Sequence, residues 1–129
     1  MDDTARRCLF YWAPLLAFVA LIFSLSSLSS LPVQTPEFLS DKVLHFLEYA
    51  ALGLLACRAV LSLGWSGERA WVVWLVAFVF SCCLGGADEF YQSFVPLRDA
   101  DWRDWVADLG GGAVGGFGYL FALRLWSRR

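Results

Sequence analysis

Four groups of residues in this sequence are of types that can move protons, bind anions or hold a cation. The first is Asp41, Lys42, His45, Glu48 and Tyr49. The second is Asp88, Glu89 and Gln92. Arg98 stands alone after Pro96, and Asp104 and Asp108 follow. His45 is the single histidine. Beside acids such as Glu48, Asp88 and Glu89 its imidazolium is favoured, which makes these residues candidates for acid–base work near neutral pH. Arg98 is a fork that can pair with a carboxylate or hold a phosphate. Asp41, Lys42, Tyr49, Gln92, Asp104 and Asp108 complete the candidate ligand-binding set. Each has a plainer reading. His45 near Glu48 can be a satisfied buried polar group, Arg98 a salt bridge to Asp104 or Asp88, and Asp101 with Asp104 a helix N-cap. Oxygen ligands at Asp88, Glu89, Asp104 and Asp108 would suit magnesium or calcium. No spacing among them is diagnostic, so neither a metal nor a cofactor is expected.

The elements that must position these groups are apolar. The 129 residues are 59% hydrophobic and 17% aromatic. Soluble domains carry about 45–50% apolar residues, so the composition points to one integral membrane domain over 1–129. Four spans are predicted, at 9–28, 42–63, 70–91 and 104–127. Each is near the ~20 residues that cross a bilayer. Arg6 and Arg7 ahead of the first span also fit a signal peptide, but the run is long and no clear cleavage site follows. Pro14 falls near the expected start of that span, where a helix loses least by it. Pro32 and Pro36 mark a loop, and Ser40 or Asp41 can cap the second helix. Trp71, Trp74, Trp102 and Trp105 suit the interfacial aromatic belt. Short connections make the fold an all-α, up-down-up-down four-helix bundle.

Spacing places the polar residues on faces. Asp41, His45, Glu48 and Tyr49 share one helical stripe, and Asp104, Asp108, Gly111 and Gly115 share another. Glycine pairs four apart, Gly111/Gly115 and Gly112/Gly116, let helices approach closely, either within the chain or in a homo-oligomer. Cys8, Cys57, Cys82 and Cys83 form no metal or disulfide motif and read as small apolar side chains.

Charge gives an orientation. The end with the termini and the second turn has seven Lys or Arg residues, and the opposite end has three. The positive-inside rule therefore puts both termini in the cytoplasm. The acidic end, with nine of the twelve carboxylates, faces outward. A formal net charge of −2 gives no indication of a nucleic-acid partner. From helix rise, Glu48 lies about 10 Å along the axis beyond Asp41, and Asp108 about 6 Å beyond Asp104. Three helices thus carry ionisable groups to one depth below the outer interface, where such groups are costly and usually paired and inward-facing.

Asp41-Lys42-x-x-His45-x-x-x-Tyr49, Asp88-Glu89-x-x-Gln92, Phe94-Val95-Pro96-x-Arg98 and Asp104-x-x-x-Asp108-x-x-Gly111-x-x-x-Gly115 together resemble the VanZ-like family of small bacterial membrane proteins. The likeness spans about 41–116 in order and spacing. Leu97 departs from the glycine often found before the arginine, and Asp108 stands where asparagine is frequent. The family takes its name from a glycopeptide-resistance cluster, in which a member is associated with teicoplanin resistance. The resemblance implies a cell-envelope role and brings no established reaction or substrate. Residues and resemblance together lead to three expectations. The first is a multi-pass protein of the bacterial cytoplasmic membrane whose outer-leaflet site binds, and has the groups to modify, an envelope lipid or lipid-linked cell-wall precursor. The second is an ion, proton or lipid pathway, which would need polar groups continuing inward; apart from Arg58 the inner halves offer almost none. The third is a structural or regulatory subunit whose polar cluster only fixes helix packing.

Overall fold

The computed structural model describes residues 2–28, 41–65, 69–98 and 100–128. The expected loop prolines Pro32 and Pro36 and the cap at Ser40 lie outside them. Four helices are long and apolar enough to cross a membrane: α1 Asp3–Ser26, α2 Asp41–Leu61, α3 Ala70–Gln92 and α4 Trp102–Trp126. No strand occurs among the described residues. The all-α four-helix expectation holds.

Boundaries follow local chemistry. Helix α1 starts at Asp3 rather than at Leu9, because the Asp2 carboxylate accepts the Ala5 N–H at 2.6 Å and caps it. Pro14 is therefore well inside the helix. It offers no N–H to the turn before it, and that turn widens into a π-turn at Cys8–Trp12, where the Ala13 N–H reaches back to the Cys8 carbonyl. Helix α2 ends in a turn closed by Gly64 at φ 88°, a conformation that glycine adopts without steric cost. The Asp101 side chain caps α4 by accepting the Arg103 N–H at 2.9 Å, as its place in the sequence suggests.

Packing centres on α2, and α1 is peripheral. In its apolar window 44% of α2 is buried, against 11% of α1. Helices α2 and α4 pack backbone to backbone. A Cβ on Gly111 would run into the Phe46 carbonyl oxygen, one on Gly115 into that of Ala50, and one on Gly53 into Gly112. The expected close-approach glycines are thus filled within the chain. Gly111 is buried and Gly115 half-buried at this contact.

Tyr49, Leu52, Ala56, Cys57, Val73 and Ala77 form the core of the α2–α3–α4 bundle. Trp74 and Trp105 have a further role besides the expected interfacial one. The Trp74 indole donates to the Ala113 carbonyl at 3.0 Å and the Trp105 indole to that of Cys82 at 3.1 Å, both tying α3 to α4. Of the cysteines only Cys57 is buried; Cys8 and Cys83 lie on the outer surface of the bundle.

Candidate functional site

The ends of α1 and α3 and the starts of α2 and α4 meet at one end of the bundle, and the polar residues meet there with them. His45, Tyr49, Asp88, Glu89, Gln92, Asp104 and Asp108 are all buried. Glu48 and Lys42 are half-buried, and Asp41 is exposed. Of the stripes read from spacing, His45, Tyr49, Asp104, Asp108 and Gly111 face inward, while Asp41 at the helix start does not.

An outer layer is built around Lys42. Its ammonium lies 2.8 Å from Asp104 and 3.0 Å from Asp101, joining the starts of α2 and α4. The Asp101 carboxyl is held below its ordinary range by the Arg103 N–H and then by Lys42. Its own N–H donates to Glu89 Oε2 at 2.9 Å, bringing the end of α3 to the same point.

The inner layer is richer in acid. His45 Nδ1 lies 3.0 Å from Asp108 Oδ1, with side chains 7% and 0% exposed. Gln92 donates to Asp88 Oδ2 at 3.0 Å and reaches the Ser26 hydroxyl of α1 at 3.4 Å. Four buried oxygens have no hydrogen-bond partner among the described residues: Tyr49 Oη, Asp88 Oδ1, Glu89 Oε1 and Asp108 Oδ2. Buried polar atoms are normally satisfied, which sets these four apart from the rest of the bundle. Gly85 keeps the room there, since a Cβ on it would lie 2.9 Å from Asp108 Oδ2.

Arg98 is placed otherwise than expected. No ion pair joins it to Asp88 or Asp104 among the described residues. Its Nε donates to the Leu28 carbonyl at 3.0 Å and its Nη2 to that of Leu25 at 3.4 Å. The last carbonyls of a helix lack partners within the helix and carry its negative dipole end, so a guanidinium suits them. The Tyr91 hydroxyl, 2.9 Å from that of Ser27, adds to this attachment of α1. Ser26, Ser27, Tyr91 and Gly85 went unremarked as site residues in the sequence. The Ser26–Gln92 and Ser27–Tyr91 partners are more than sixty positions apart and leave no spacing signal.

A family model described as VanZ/LLP1 matches residues 9–124. The chain belongs to the VanZ-like family. Neither a curated protein nor a solved structure matches it. In this VanZ-like chain the residues that carry the likeness are those gathered at the polar end, with Asp108 as the partner of His45. Leu97, where the family often has glycine, adopts φ 65°. The Arg98 N–H bonds the Val95 carbonyl at 3.1 Å, closing a turn with Pro96 second and Leu97 third. That is the arrangement of a type II turn, whose third position favours glycine.

An open groove of about 1080 Å³ lies at the opposite end. It is lined mainly by apolar side chains, among them Trp71, Trp74, Phe117 and Trp126. Among the described residues Arg124 is its one charged side chain. Also at that end, the Arg58 guanidinium stacks over the Tyr11 ring at 5.0 Å.

Proposed function

We propose that the polar end of this VanZ-like membrane protein binds the headgroup of an envelope lipid or lipid-linked cell-wall precursor. The membrane is the bacterial cytoplasmic membrane, the site faces its extracytoplasmic side, and both termini are cytoplasmic. One observation carries the reading: four buried oxygens from α2, α3 and α4 lie at one end of the bundle without partners among the described residues. Hydroxyl or amine groups of a headgroup would satisfy them. Lys42 and Arg98 lie at the rim, and a phosphate bound there would draw them from Asp101 and Asp104 and from the α1 carbonyls. Glu48 and Asp88 supply carboxylates for proton transfer beside the bound headgroup, as modification of that ligand would require.

Native mass spectrometry of gently extracted protein tests this. A lipid is expected to co-purify with wild type and to be lost from Asp88→Asn and Lys42→Ala variants that remain folded. A lipid-free wild type, or variants that keep the lipid, would count against it. By family likeness the reading extends to glycopeptide resistance. The check is to compare inhibitory teicoplanin concentrations for cells expressing wild type and Asp108→Asn.

A second reading, a structural or regulatory subunit, draws on Lys42 and Gln92, which each join two helices, and on Arg98, which ties the loop after α3 to the end of α1. It expects substitutions to lower membrane expression or partner binding, with no lipid involved.

A further inference from the structure

The two layers of the polar end differ in how their charge is met. In the outer layer the Lys42 ammonium lies between Asp101 and Asp104. The inner layer has three carboxylates at most 8% exposed, Asp88, Glu89 and Asp108, and among the described residues the one basic side chain paired with any of them is His45, on Asp108. Arg98, the nearest alternative, is turned to the carbonyls of α1. Carboxylates grouped in a low-dielectric interior repel one another and need a counter-charge.

The same residues have the geometry to hold one. His45, Glu89 and Asp108 bring one donor atom each within 4.8 Å of one another, and all three are buried. Donors about 2.1 Å from one ion stand at most about 4.2 Å apart, so closure needs only small side-chain shifts. Each carboxylate has one oxygen on a protein partner: Asp108 Oδ1 on His45, and Glu89 Oε2 on the Asp101 N–H. Each leaves its other oxygen without one among the described residues. The unpartnered Asp108 oxygen is the one for which Gly85 leaves room.

We infer that His45, Glu89 and Asp108 form a binding site for one divalent cation, of the manganese or zinc class. One imidazole with two carboxylates suits these ions better than calcium or magnesium, which favour all-oxygen shells. Asp41, His45 and Asp104 form a second, shallower group of donors. There Lys42 already occupies Asp104, and Asp41 is exposed. Three protein ligands leave coordination positions open. Those positions would meet a phosphate oxygen, a step that rests on the headgroup reading; the ion site itself rests on the donor geometry.

The test uses the full chain in detergent, stripped with a chelator, desalted and titrated with manganese(II) and separately with zinc(II), without added lipid. Wild type is expected to bind one equivalent. Pulsed electron paramagnetic resonance of the manganese form is expected to show ¹⁴N coupling from an imidazole. Glu89→Gln and Asp108→Asn, close in size to the native residues, are expected to weaken binding at least tenfold, while Asp41→Asn leaves it unchanged. Wild type that binds no ion, or manganese without nitrogen coupling, overturns the inference whether or not the variants fold. So does loss of binding in Asp41→Asn with retention in Glu89→Gln. Lipid co-purification, repeated in chelator, separates the two readings. Lipid without ion removes the ion site alone, and one bound ion without lipid supports the site and removes the headgroup reading.

Discussion

Single residues at the polar end set its geometry, and Leu97 shows how. A non-glycine residue in the left-handed region costs about 1–2 kcal/mol, and Leu97 holds that conformation while 91% exposed. Leu97→Gly is expected to raise stability by roughly 1 kcal/mol, less what glycine gains in the unfolded chain. Thermal denaturation in detergent would read it. Asp101 gives a pH signature. Its carboxyl lies below the ordinary 3.8, so its contribution is complete above that value and disappears as pH falls through the lower, folded-state value. Hydrogen exchange at the Arg103 amide is expected to accelerate only in that acidic window. The His45, Asp104 and Asp108 positions could be read from the sequence, because a polar stripe on an apolar helix must face protein. The target of Arg98 could not. Its acceptors are main-chain carbonyls, which every residue carries.

Helix-scale packing was legible where a pattern of small residues sets it. The glycines four apart on α4 announce a close approach, and α2 makes it. Gly115→Ala would press a methyl group onto the Ala50 carbonyl, and Gly111→Ala one onto that of Phe46. Each is expected to cost about 3 kcal/mol or more. Gly118→Ala meets nothing within 4 Å and should be neutral or slightly stabilising through helix propensity. Chemical denaturation of the three variants in one detergent would separate them. Less legible was the extent of α1. Apolarity marks what can lie in lipid, whereas this helix begins with a capping aspartate in the polar tail, and its π-turn follows from a proline deeper inside than apolarity placed it.

For the whole molecule, the acidic and basic ends give the orientation proposed above. In a cysteine-free background, Trp102→Cys is expected to react with a membrane-impermeant maleimide on intact cells, and Ser127→Cys only after permeabilisation. The reverse pattern would invert the bundle and put the polar end in the cytoplasm. The meeting of distant charges at one end was legible because four alternating spans leave just two ends to choose between. How those charges pair was not, since pairing depends on helix rotation and on neighbours the sequence does not order.

The hold of Arg98 on α1 bears on how this contact tolerates mutational drift. Because the guanidinium grips peptide oxygens at positions 25 and 28, those two side chains can change freely without releasing it. Correlated substitution between the loop and the first helix would then be absent. Charge-reversal rescue, the usual genetic route to a paired arginine, would find no complementary partner to swap.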